Sequence, residues 1–324
     1  MLPRPRVNRA RTAPARRLGS KQDSAQSRNP RSATVHQYRQ SGVAAASCYT
    51  LLSMARQRLG QHFLTDAGWR EKIARAVGVS PHSALRSPAQ ESFCWIEVGA
   101  GHGEMTRHLA STGAPVYAIE LDSRLAERLQ ALSREFPNVT IIPADVLAAD
   151  LSSLAAGRRL RLYGNLPYYI TSPILHRFFE FASLIDEIHI VIQLEVAFRL
   201  AARPGTRDYG YLSVLTQYFA SPRIALKIPP GAFRPPPKVA SALVSMKLPG
   251  ESAHLDVGNP RDFLEFTKLC FSQKRKTLVN NLRSLAAPGA VRAALSALKL
   301  KPAARAEELS VAQLAALRHS LLKM

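Results

Sequence analysis

The stretch WIEVGAGHGEMTRHL, residues 95–109, carries an apolar strand-like run into three glycines at alternate positions and then into an amphipathic segment. Glycine lets the backbone turn sharply and approach a ligand closely. The reading is therefore a strand-to-helix turn, with Glu97, Gly99, Gly101 and Gly103 on the loop. By itself such a loop marks only a tight βα connection. Its spacing, E-x-G-x-G-x-G, differs from the G-x-G-x-x-G that seats a pyrophosphate at a helix N-terminus.

Working outward, further strand-like runs follow: FCWIEV (93–98), PVYAIEL (115–121), VTIIPA (139–144), LRLYGN (160–165) and EIHIVIQ (187–193). Amphipathic stretches such as SRLAERLQALSREF (123–136) separate them. That alternation predicts a mostly parallel sheet covered by helices, with ligands beyond the carboxyl ends of the strands. RIALKI (223–228) and SALVSMKL (241–248) are joined by a short, stiff, proline-rich linker, so they are expected to pair antiparallel at the sheet edge. Past residue 250 the pattern becomes helical: DFLEFTKLCFSQKRKTLVNNLRSL, VRAALSALKL, and SVAQLAALRHSLL behind a Ser cap. The expected layout is an α/β domain over 54–249 and a small all-helical domain over 250–324.

The 324 residues include 44 basic and 23 acidic side chains, a formal charge of +21, which points to a polyanionic partner. Residues 1–53 hold ten of the basic residues and one acidic, are rich in Arg, Ser, Pro and Ala, and lack a sustained apolar period. This segment is expected to be disordered. Three readings of it stay open: a mis-assigned start with Met54 as initiator, a basic arm for nucleic acid, and a targeting peptide. Cys48, Cys94 and Cys270 are too scattered for a metal site or a disulfide framework and read as small apolar residues. No apolar run is long enough to span a bilayer, so no membrane association is expected.

The glycine loop resembles the first motif of S-adenosylmethionine-dependent methyltransferases. Glu120 ends the next strand, 19 residues after Gly101, where a carboxylate can accept hydrogen bonds from ribose hydroxyls. Asp145, in IIPADVL, is placed either to receive an adenine amine or to cap a turn. Glu97 reads as an organiser of the loop. YGNLPYYITSPIL (163–175) puts Asn165, Leu166, Pro167 and Tyr168 at the tip of a strand. An exocyclic amine is a poor nucleophile while its lone pair is delocalised. The Asn165 side-chain oxygen and the Leu166 carbonyl offer two acceptors to draw it out of the ring plane. Pro167 would fix that carbonyl, and Tyr168 would stack on the base. This block resembles the Asn/Asp-Pro-Pro-Tyr motif of amino-group methyltransferases acting on nucleic acids.

The chain from about 54 to 324 resembles the small-subunit ribosomal RNA adenine dimethyltransferase family. RLGQHFL (58–64), EVGAGHGEMT, IELD, NLPYYITSPIL, YGYLSVLTQYF, IPPGAFRPPPKVASALV, SQKRKTLVNNL and RAEELSVAQL occur in the family's order. The resemblance implies a Rossmann-like methyltransferase sheet and S-adenosylmethionine as cofactor. It also implies dimethylation of two adjacent adenines near the 3′ end of small-subunit rRNA, inside an assembling 30S particle. A cytoplasmic monomer without metal is expected. Cofactor contacts would fall on His62, Leu64, Gly99, Gly101, Glu120, Asp145 and Asn165. RNA contacts would fall on Arg234 and Lys238 in FRPPPKV, and on Lys274, Arg275 and Lys276, read as helical. Phe233 would either stack on a base or pack beneath its loop. Met105 stands where Leu is usual, and Leu194 where Lys is common. Two rivals are a large-subunit rRNA adenine methyltransferase, disfavoured by the helical C-terminal segments, and a non-catalytic binder, disfavoured by the intact Glu120, Asp145, Asn165 and Tyr168.

Overall fold

The computed structural model describes residues 61–79 and 92–323, which lie in one compact unit. The readings of residues 1–53 and the Arg58–Gly60 part of RLGQHFL lie outside the described residues.

Seven strands form one sheet: β2 (Phe93–Val98), β3 (Val116–Glu120), β4 (Val139–Pro143), β5 (Arg159–Asn165), β6 (Ile185–Gln193), β7 (Ser221–Ile228) and β9 (Ser241–Lys247). Their spatial order is β4-β3-β2-β5-β6-β9-β7. The first five in that order run parallel, and β9 is antiparallel to both β6 and β7. The parallel strands read as near-continuous apolar runs because both faces are covered, as parallel sheets require. A two-residue ladder joins β1 (Phe63–Leu64) to β8 (Phe233–Arg234), pairing Phe63 with Arg234 and Leu64 with Phe233.

Chain order reverses between β2 and β5. From β2 the chain builds outward through β3 and β4, then returns to the other side of β2. Such a switch point leaves a crevice beyond the strand ends, and the site lies there. The helices around it are α1 (Ala67–Ala76), α2 (Glu104–Ala110), α3 (Ser123–Glu135), α4 (Leu151–Ala155) and α5 (Thr171–Glu180). Asp66 caps α1 by accepting from the Trp69 N–H at 2.9 Å, and Asp122 caps α3. One face of the sheet buries Trp95, Tyr163, Val191 and Leu243 against Ile73 of α1 and Leu109 of α2.

The later helices are α6 (Leu194–Leu200), α7 (Tyr211–Phe219), α8 (Pro260–Cys270), α9 (Leu278–Asn281), α10 (Pro288–Ala297) and α11 (Val311–Leu322). From α7 onward they share a second apolar core, in which Tyr209, Val214 and Tyr218 pack with Phe263, Leu278, Val291 and Leu314. The predicted Ser cap is present: Ser310 Oγ accepts from the Gln313 N–H at 3.2 Å, and Gln313 Oε1 accepts from the Ser310 N–H at 2.9 Å.

One sequence expectation fails. Lys274, Arg275 and Lys276 are not helical; they sit on an exposed turn between α8 and α9. The turn exposes all three. Asn281 stabilises the break, its side-chain amide donating to the Cys270 carbonyl at 2.6 Å and to the Gln273 carbonyl at 3.2 Å. Cys94 and Cys270 are buried thiols, and burial raises the pKa of each, Cys94 to about 11.

Candidate active site

The glycine loop follows β2, and Gly99, Gly101 and Gly103 all have positive φ, the left-handed region. Gly103 is the tightest of them. A Cβ there would lie 2.3 Å from a Leu132 methyl and 2.8 Å from a Leu129 methyl, so its absence lets α3 close against the loop. At Gly101 a Cβ would press on the Phe63 ring at 3.2 Å. The Gly101 N–H donates to Glu120 Oε2 at 2.9 Å, and the Asp122 N–H donates to Glu120 Oε1 at 2.9 Å. The buried Glu120 carboxylate at the end of β3 is thereby fixed with one backbone donor on each oxygen. A carboxylate has about four acceptor sites, so each oxygen retains capacity for a ligand hydroxyl.

Asn165 closes β5. Its amide nitrogen donates to the His62 carbonyl at 2.9 Å, across 103 residues of sequence. That bond commits the nitrogen and sets the orientation of the side-chain oxygen. The Leu166 N–H donates to the Val191 carbonyl at 3.0 Å. Pro167 follows at φ −58° and ψ 135°, and Tyr168–Ile170 form a 3-10 turn ahead of α5. The half-buried Tyr168 ring stacks on His62, with centroids 5.9 Å apart and planes inclined by 30°. Its hydroxyl bonds Ser241 Oγ at 2.8 Å. His62 in turn bonds the Pro235 carbonyl through Nδ1 at 2.7 Å.

These groups share one crevice. Gln61, His62, Phe63, Gly99, Gly101 and Glu120 line it together with the whole Asn165–Tyr168 block. One adjoining recess adds Leu64, Glu97 and Tyr163, and another adds Asp145, Leu121 and Tyr169. Asp145 accepts from the Leu147 N–H at 2.9 Å, so it also makes the turn that its sequence context suggested. Glu97 is buried and its Oε2 has no partner, as is true of the Tyr163 hydroxyl paired beside it across β2 and β5. Burial raises the Glu97 pKa to about 8, with the nearby Glu104 and Glu120 carboxylates pushing the same way.

Among the described residues lining these three recesses, none is Lys or Arg, while Glu97, Glu120, Asp145 and Asn165 supply acceptors. Such acceptors suit a ligand that presents hydroxyl and amine donors.

A family model described as ribosomal RNA adenine dimethylase matches residues 52–323. The chain belongs to the ribosomal RNA adenine dimethylase family. Within it, the ribosomal RNA small subunit methyltransferase A of Koribacter versatilis is 39% identical over 279 residues, covering 82% of this chain and 94% of that protein. Among solved structures, the 23S rRNA methyltransferase ErmE superposes with a TM-score of 0.59 at 27% identity, covering 80% of this chain and 99% of that one. A dimethyladenosine transferase from Plasmodium falciparum superposes with a TM-score of 0.64 at 22% identity, covering 81% of this chain and 98% of that one, which speaks for the fold.

The crevice of this dimethylase-family chain thus brings together His62, Leu64, Gly99, Gly101, Glu120, Asp145 and Asn165–Tyr168. The five basic residues expected to meet RNA lie outside it. Arg234 and Lys238 are exposed on the loop between β7 and β9, and Arg234 pairs with the crevice residue Phe63. Lys274, on its turn, donates to the Arg207 carbonyl at 2.5 Å. Phe233 is buried and packs beneath the loop. Among the described residues, no group of three or more His, Cys, Asp and Glu could hold a metal ion, and no helix is long and apolar enough to cross a membrane. Sequence reasoning missed Gln61 and Phe63, although both stood inside the quoted QHFL, and it missed Ser241, which carries no local signal.

Proposed function

We propose that this chain is an S-adenosylmethionine-dependent rRNA adenine dimethyltransferase. It places two methyl groups on N6 of each of two adjacent adenosines near the 3′ end of small-subunit rRNA, working in the cytoplasm as a monomer on an assembling 30S particle. The observation that carries the reading is the orientation of Asn165, its nitrogen spent on the His62 carbonyl, in a crevice shared with the Glu120 carboxylate and the Tyr168 ring.

S-adenosylmethionine, when bound, supplies an electrophilic methyl group on a sulfonium. Glu120 would hold the ribose hydroxyls, Asp145 the adenine amine, and the glycine loop with His62 and Leu64 the remainder. Asn165 Oδ1 and the Leu166 carbonyl accept from the target amine and turn its lone pair out of the ring plane. Pro167 keeps that carbonyl in place. Tyr168 offers its face to a base lifted from its strand. No side chain of shifted pKa need act as base, because the amine becomes strongly acidic once alkylated. Most of the barrier is then met by positioning. Arg234, Lys238, Lys274, Arg275 and Lys276 would meet RNA phosphates in a salt-dependent way.

The 39% identity to a small-subunit methyltransferase over most of both chains favours the small subunit, while the likeness to ErmE covers the fold that both classes share. The test is to incubate the chain with methyl-labelled cofactor and separate small and large subunits lacking the modification, then map the label. Label on N6 of small-subunit adenines is expected. Label on large-subunit RNA would replace the substrate assignment, and no label on either would leave a binder.

A further inference from the structure

Tyr168 rests on the parallel half of the sheet but is tethered from the antiparallel half. Its backbone follows β5, while its hydroxyl bonds Ser241 Oγ at 2.8 Å, 73 residues away. Ser241 opens β9 and is fully buried. It sits directly opposite Gln193 on β6 and Ile228 on β7, so both neighbouring strands hold its backbone. The Ser241 hydroxyl is therefore a fixed point, whereas the half-buried Tyr168 has a solvent-facing alternative. The next residue, Tyr169, is 61% exposed, so this turn borders solvent. On its other side the Tyr168 ring meets His62, itself held by the Pro235 carbonyl at 2.7 Å. Ser241 at the start of β9 holds the hydroxyl, and Pro235 in the connection before it holds the His62 ring on which Tyr168 stacks.

We propose that Ser241 is a positioning residue for methyl transfer: its hydroxyl selects the one Tyr168 orientation that presents the ring face to the target base. The inference rests on the functional reading above. Without that bond nothing fixes the half-buried ring against turning out of the crevice, and the stacking platform is in place for less of the time. Among the hydrogen bonds described Ser241 makes none to Glu120, Asp145 or the glycine loop, and of the cofactor residues only His62 meets the Tyr168 ring.

The test is a double-mutant cycle in the full chain with small subunits as substrate, using Ser241→Ala, Tyr168→Phe and the pair. One lost hydrogen bond predicts kcat down about fivefold to tenfold in each single variant. Cofactor affinity should fall by much less than kcat, and the double variant should be no slower than either single one. Ser241→Thr, which keeps the hydroxyl, should recover most of the rate. Losses that multiply in the double variant, or a fall in cofactor affinity matching the fall in kcat, would overturn the inference. Tyr168→Phe keeps the ring and removes only the bond, so wild-type turnover in that variant alone also overturns it, even if Ser241→Ala does not fold. A wild-type chain that labels no RNA overturns the functional reading together with this inference. An active wild type with an additive cycle overturns the inference alone.

Discussion

Replacing Glu97 by Gln should flatten the dependence of stability on pH. Glu97 is buried, its Oε2 lacks a partner, and burial raises its pKa from 4.5 to about 8. Between those values the folded chain holds a proton that the unfolded chain has released. Stability from the neutral carboxyl is complete below pH 4.5 and drains away as pH rises to about 8, by tenfold in the folding equilibrium per pH unit. Over the window this amounts to about 5 kcal/mol. Gln keeps the shape of the neutral acid and cannot ionise. The expected result is near-equal stability of Glu97→Gln and wild type at pH 5, and a variant more stable by several kcal/mol at pH 9. Urea denaturation of both proteins from pH 5 to 9 reads this directly, since the difference between the curves cancels every other titrating group. Parallel curves, separated by a constant amount, would refute the assignment of a protonated Glu97.

Three further outcomes follow from the site. Gly103→Ala combines a φ of +82° with a Cβ 2.3 Å from Leu132, so left-handed strain and overpacking should cost about 2–5 kcal/mol, and an unchanged urea midpoint would contradict the packing described. Asn165→Ala should slow methyl transfer by about 10²-fold or more. Calorimetry should show cofactor affinity falling by less than about tenfold. Near-normal turnover would remove Asn165 from its role. Changing Lys274, Arg275 and Lys276 together to Ala should reduce the slope of log affinity for small subunits against log salt by about 2, and an unaltered slope would take that turn off the RNA.

The parallel strands were legible because each is an apolar run ended by glycine, proline or a polar residue: the run from Phe93 to Val98 and the structural β2 coincide. The antiparallel pairing of β7 and β9 followed from a linker too short and stiff for a crossover. Glu120 and Asp145 could be placed because carboxylates at the ends of successive parallel strands point into one crevice. The turn at Lys274–Lys276 was not legible, since cations favour helix as readily as loop and the element that breaks the helix, Asn281, acts from the next one. The β1–β8 ladder, the Asn165–His62 bond and the Tyr168–Ser241 bond join residues 73 or more positions apart, and no local pattern in a single sequence encodes them.

The most direct measurement is a crystal structure of the chain with S-adenosylhomocysteine and an adenosine-containing oligonucleotide. The account predicts cofactor ribose hydroxyls on Glu120, and the target N6 amine between Asn165 Oδ1 and the Leu166 carbonyl with its ring on Tyr168. A target adenine bound at another edge of the sheet, with Asn165 Oδ1 facing solvent, would contradict it.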